Sequence, residues 1–112
     1  QSLPLQIRLN FKIAHYYEFR AEIVKAEQYY RTAYKFLIEL TSTVISVPTM
    51  YPSAFKRQLK KVGDWINFKL CKYSLDRDSS RDSVAQFRQH MSIFRELADD
   101  KDTNWDHWAW YV

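Results

Sequence analysis

Asn67-Phe68-Lys69-Leu70-Cys71 repeats Asn10-Phe11-Lys12-Ile13-Ala14 at an offset of 57 residues. The echo continues at the same offset: Gln28-Tyr29-Tyr30-Arg31 lines up with Ala85-Gln86-Phe87-Arg88, and Phe36-Leu37 with Ile93-Phe94. Each segment holds an apolar helix start followed, about twenty residues later, by an aromatic residue and an Arg. Such a unit used twice is the signature of a helical repeat, in which each helix pair buries its apolar faces against its neighbours. The expected units are about residues 5–40 and 53–97, with a third helix pair begun at 103.

The composition agrees with an all-α class. The 112 residues include one Gly and three Pro, too few for many tight turns or a phosphate loop, while Leu, Ala, Lys, Arg, Glu and Gln suit long helices. At this length the chain is one domain at most; its start at Gln1 and its aromatic end read as a segment of a larger one. A single Cys excludes an internal disulfide and any multi-cysteine metal site. No run of eighteen apolar residues offers a membrane span. The net charge of +4 permits acidic partners without demanding them.

Residues 5–20 are apolar almost all round, with Leu9, Ile13, Tyr16 and Tyr17 on one stripe and Ile7, Phe11 and Ala14 on another, which predicts a helix held between layers. Glu22 to Leu40 carries Ile23, Ala26, Tyr30, Ala33, Leu37 and Leu40 in steps of three and four, an amphipathic helix. Small Ala14, Ala26 and Ala33 beside large Tyr17 and Tyr30 keep the order of a tetratricopeptide repeat, so antiparallel helix pairs stacked as a TPR-like α-solenoid fragment are expected. The usual Trp and closing Pro positions hold Asn10 and Ile38 instead.

Thr41 to Pro52, with two X-Pro pairs, reads as a connector. Ser53 is the expected N-cap of a helix through Tyr73, with Phe55, Leu59, Val62, Ile66, Leu70 and Tyr73 on one stripe and Trp65 and Phe68 on a second apolar facet taken as buried. Gly63 inside it implies a close helix crossing or a kink. Asp76 to Asp82 is a charged turn, and Ser83 to Leu97 a helix with Val84, Phe87, Met91 and Phe94 on one side. Ala98 to Asp102 is a second turn, and Thr103 with Asp106 makes a capping box opening a fifth helix.

No constellation reads as catalytic, cofactor-binding or metal-binding. His15, His90 and His107 are far apart; His90 takes the repeat position of Ala33, so a core or hydrogen-bonded role is expected. Cys71 takes that of Ala14 and reads as a small packing residue. Asp76, Asp78 and Asp82 lack the Gly and terminal Glu of a calcium loop, and Ser79 and Ser80 are at most modification sites. Lys56, Arg57, Lys60, Lys61, Lys69 and Lys72 make one helix basic, but nucleic acid also needs stacking aromatics in the open. Trp105, Trp108, Trp110 and Tyr111 form the densest aromatic cluster, a candidate partner contact or next-repeat contact.

A family resemblance rests on these blocks in order. Phe11-Lys12-Ile13-Ala14, Tyr17-Glu18-Phe19-Arg20, Tyr30-Arg31-Thr32-Ala33-Tyr34, Asn67-Phe68-Lys69-Leu70-Cys71, Gln86-Phe87-Arg88-Gln89-His90 and His107-Trp108-Ala109-Trp110 look like the foie gras domain of subunit eleven of the TRAPP (trafficking protein particle) complex. The resemblance spans roughly residues 7 to 112. It implies a non-catalytic scaffold segment of a vesicle-tethering and Rab exchange-factor complex, working in endoplasmic reticulum–Golgi transport and autophagy. The implied partners are the other subunits, with a Rab GTPase reached indirectly. The implied location is cytoplasmic and peripheral to Golgi membranes, and no catalytic residue carries over. The alternative from the residues themselves is a basic module binding RNA or anionic membrane, which salt would weaken steeply.

Overall fold

The computed structural model describes residues 2–47 and 49–97. The described residues form α1 (Leu3–Phe19), α2 (Ile23–Ser46), α3 (Ser53–Asp76), α4 (Ser80–Phe94) and a 3-10 turn, Arg95–Leu97. Among the described residues there is no strand, so the all-α expectation is met, and the helices pack as pairs. α1 lies antiparallel on α2, and α3 on α4. α2 joins the pairs by packing on α3.

The local chemistry explains where each helix begins and turns. Ser2 Oγ accepts a bond from the Leu5 N–H at 3.2 Å, and Pro4 stands in the first turn, where a missing N–H costs nothing. At the end of α1 the Ala21 N–H bonds to the Glu18 carbonyl and the Glu22 N–H to that of Tyr17, a Schellman closure with Ala21 left-handed at φ 60°. Fifty-seven residues later Asp78 and Ser79 bond to Leu75 and Ser74 in the same way, with Asp78 at φ 57°. The repeat therefore extends to the turn inside each pair. The chain's one Gly is used elsewhere, so Ala and Asp adopt a conformation that Gly would take without strain.

Three boundaries differ from expectation. α2 runs on to Ser46, because Thr41 and Val44 are fully buried and tertiary packing overrides the weak helix preference of this Thr/Ser-rich stretch. Pro52, not Ser53, caps α3, and Ser53 is the first helical residue with no side-chain capping bond. α3 continues to Asp76 and α4 begins at Ser80, which narrows the charged turn to three residues.

The core is one cluster built from all four helices: Ile7 and Ala14; Ala26, Tyr30, Ala33, Leu37 and Leu40; Ile66, Leu70 and Tyr73; and Phe94 with Leu97. Leu37, Ile66 and Leu70 are buried almost completely, each contributing about 1.5–3 kcal/mol by burial. Gly63 marks a close crossing: a Cβ placed there would stand 2.7 Å from Phe94 Cε1. The packing of α1 departs from the sequence reading. Its buried face is narrow, Ile7, Asn10 and Ala14, whereas Leu5, Leu9, Tyr16 and Phe19 are exposed rather than held between layers.

Candidate docking surface

Two polar residues inside this core, Asp64 and His90, are paired with each other. Asp64 on α3 stands where the first unit has Ile7, and His90 on α4 where it has Ala33, so a polar pair replaces an apolar one at the same crossing. Asp64 Oδ1 lies 2.6 Å from His90 Nε2, and Lys60 Nζ donates to Oδ2 at 3.1 Å. His90 Nδ1 lies 2.8 Å from the Tyr34 hydroxyl on α2. The two ring nitrogens of His90 thus bridge Asp64 and Tyr34, and the chain of contacts links α2, α4 and α3. Burial pushes the Asp64 pKa up, but the His90 bond and the charge and bond of Lys60 outweigh it and hold the carboxyl below its usual value. His90 is 1% exposed and both ring nitrogens are engaged, which suits a lock between helices. The hydrogen-bonded core role expected of His90 is what the structure shows.

A second hub joins α1, α2 and α3 at Glu18. Its Oε1 accepts from Lys69 Nζ at 2.9 Å and from the Tyr30 hydroxyl at 3.3 Å, while the Tyr73 hydroxyl donates to Oε2. Burial raises the Glu18 pKa, yet the bonds from Tyr73 and Lys69 and the Lys69 charge prevail and leave it lowered. Tyr30 and Tyr73 are pushed up, by burial first and then by the neighbouring carboxylate. These hubs fix helix register; the partners they satisfy are inside the molecule.

Two faces that point outward, on α3 and α1, carry apolar and basic residues. On α3, Arg57, Lys61, Trp65, Phe68 and Lys72 share one exposed face. Trp65 is 45% and Phe68 50% exposed, so the expectation that both are buried is corrected. The facet at this face is left open because α4 packs on Asp64, Asn67 and Cys71 and α2 on Leu70 and Tyr73. Lys69 Nζ lies 5.1 Å from the Trp65 ring centroid. On α1 the exposed Leu5, Leu9, Lys12 and Tyr16 correspond, 57 residues earlier, to Val62, Ile66, Lys69 and Tyr73, which α3 turns inward. Phe19 is 87% exposed beside them. The α1 face thus has the pattern of an inter-helix surface and no helix on it among the described residues.

Cys71 is half-buried, with Sγ 3.6 Å from the Ser83 carbonyl, and burial raises its pKa. Asp78 sits in the turn and Asp82 in the first turn of α4. Among the described residues no group of three or more His, Cys, Asp and Glu could hold a metal ion. Trp105, Trp108, Trp110 and Tyr111, His107 and the helix expected from Thr103 lie outside the described residues. The exposed face of α3 and the Asp64–His90 pair were missed from the sequence. Aligning Asp64 with Ile7 at the 57-residue offset is the signal that finds the pair.

No helix among the described residues is long and apolar enough to cross a membrane. No family model matches the chain, and no solved structure matches it. Over 106 residues, 95% of its length, the chain is 27% identical to trafficking protein particle complex subunit 11 of Homo sapiens. It is equally identical over the same length to the subunit 11 proteins of Bos taurus and Gallus gallus. The chain spans 9% of the length of these relatives, so the homology is to one region of a trafficking protein particle complex subunit.

Proposed function

We propose that the chain is a non-catalytic helical scaffold segment, part of a foie gras domain, in a TRAPP-type vesicle-tethering complex. The observation that carries this reading is similarity to subunit 11 along 95% of the chain, on a fold whose buried polar groups lock helices while its apolar faces point outward. Scaffold proteins of stacked helix pairs work by holding partners at fixed geometry on such faces. In this reading the partners are other subunits of the complex, the Rab GTPase and the membrane are met through them, and the role falls in endoplasmic reticulum–Golgi transport and autophagy at Golgi-proximal membranes.

One observation favours a second reading. Trp65 and Phe68 are exposed among Arg57, Lys61 and Lys72, the mixture that binds RNA or an anionic membrane. Affinity capture of the tagged protein from nuclease-treated lysate at moderate and high salt separates the two. Recovery of one fixed set of trafficking subunits at both salts is the expected result. Loss of every protein partner, with RNA or anionic lipid bound only at low salt, would overturn the scaffold role.

A further inference from the structure

We propose that the outer face of α3 rests directly on an anionic lipid bilayer, with Trp65, Phe68 and Leu75 entering the headgroup layer and Arg57, Lys61 and Lys72 meeting lipid phosphates. Helical spacing builds the face: residues 57, 61, 65, 68, 72 and 75 fall within about 80° of arc and run about 27 Å along the helix. All of them are exposed, Leu75 at 54%. Between Arg57 and Leu75 the one acid is Asp64, which is buried and turned to His90 of α4; Asp76 and Asp78 come only beyond the end of the face. The exposed stretch is therefore apolar and cationic without an anion in it, the complement of a negatively charged bilayer surface.

The make-up of the face favours lipid over nucleic acid. Single-stranded RNA is held by bases stacked on open rings along a charged groove. Here Lys69 Nζ lies over the Trp65 ring, 5.1 Å from its centroid, and Glu18 holds that ammonium at 2.9 Å, so one side of the indole is already occupied. Leu75 has no ring to stack; an aliphatic side chain gains only by entering an apolar phase. Trp65 suits the boundary itself, where an indole keeps its apolar body in the acyl region and its N–H at headgroup level. Because α2 and α4 occupy the other sides of α3, the face is the outer side of one packed helix, and it meets a flat surface without rearrangement. This inference rests on the second reading above, of which it takes the lipid branch, and not on the scaffold role.

The test is co-flotation of the whole chain, with no other subunit present, on vesicles of phosphatidylcholine alone or of phosphatidylcholine with phosphatidylserine. Binding to the serine-lipid vesicles and none to phosphatidylcholine is expected. Each Lys or Arg near such a surface is worth about fivefold in affinity, so Lys61→Gln with Lys72→Gln should weaken binding about 25-fold. Trp65→Gln with Phe68→Gln should abolish it, whereas Leu9→Gln with Tyr16→Gln on α1 should leave it unchanged, far-UV circular dichroism keeping the helical signal throughout. Absence of flotation with the anionic vesicles overturns the proposal. So does binding that the α3 changes leave intact, or that the α1 change weakens equally. A single-stranded RNA oligonucleotide bound more tightly than the vesicles, and released by the α3 changes, gives the face to nucleic acid and also overturns it. Since no other subunit is present, failure here leaves the scaffold reading standing, and loss of the subunits in the lysate capture leaves this proposal standing.

Discussion

Gly63→Ala should destabilise the fold, although alanine is the better helix former. In an exposed helix the change gains about 1 kcal/mol. Here the new Cβ would meet Phe94 Cε1 at 2.7 Å and Cζ at 2.9 Å. Phe94 cannot swing away freely: it is 2% exposed, its ring centroid is 4.5 Å from that of His90, and Tyr34 lies beyond at 6.0 Å. Forcing a methyl into such packing costs roughly 2–3 kcal/mol, the upper part of the overpacking range, so the net loss is about 1–2 kcal/mol. For a domain of this size that lowers the midpoint in a thermal melt by roughly 4–15 °C. The first unit provides the control, because there Gln6 and Leu37 occupy the places of Gly63 and Phe94. In a Phe94→Leu background Gly63→Ala should cost little or nothing, a coupling of about 1–2 kcal/mol in a double-mutant cycle. A melt unchanged or raised by Gly63→Ala in the parent chain would refute the close crossing.

Ala21→Gly relieves a left-handed alanine, and urea melts should show a gain of about 0.5–1 kcal/mol, whereas Ala21→Val should lose stability. Asp64 and Glu18 both titrate below their usual values in the fold, so protonation favours the unfolded chain. Their contribution is therefore present above the unfolded carboxylate pKa of about 4 and lost as pH falls through the folded values; Glu18→Gln with Asp64→Asn should flatten the acid side of a Tm-against-pH curve. Cys71 should react slowly with a thiol reagent in the native protein and rapidly in denaturant, and Cys71→Ala, which copies Ala14, should change stability by less than about 1 kcal/mol.

The fold was legible because the repeat acts at several levels of the chain. Asn10/Asn67, Ala14/Cys71 and Leu37/Phe94 reveal equivalent helix positions without any structure, and Gly63 implied a close crossing or a kink, of which the structure has the crossing. Helix ends were less legible: Thr41 to Ser46 has turn-like composition, and only burial of Thr41 and Val44 carries the helix onward. The docking faces were misread for a related reason. Apolar residues on two sides of a helix show that both sides can be covered, but not that they are; Trp65 and Phe68 are open because α2 and α4 occupy the other two sides of α3. Asp64 escaped notice because a single acid on a helix reads as solvated until His90 is placed opposite it.

The most direct test of the scaffold reading is size fractionation of the tagged protein from lysate at high salt, comparing the parent with a Leu9→Glu, Tyr16→Glu variant of the exposed α1 face. The account predicts that the parent elutes with a fixed set of trafficking subunits and that the variant, its helical signal intact, leaves that fraction. Elution of the parent apart from every such subunit, or identical elution of parent and variant inside the complex, would contradict it.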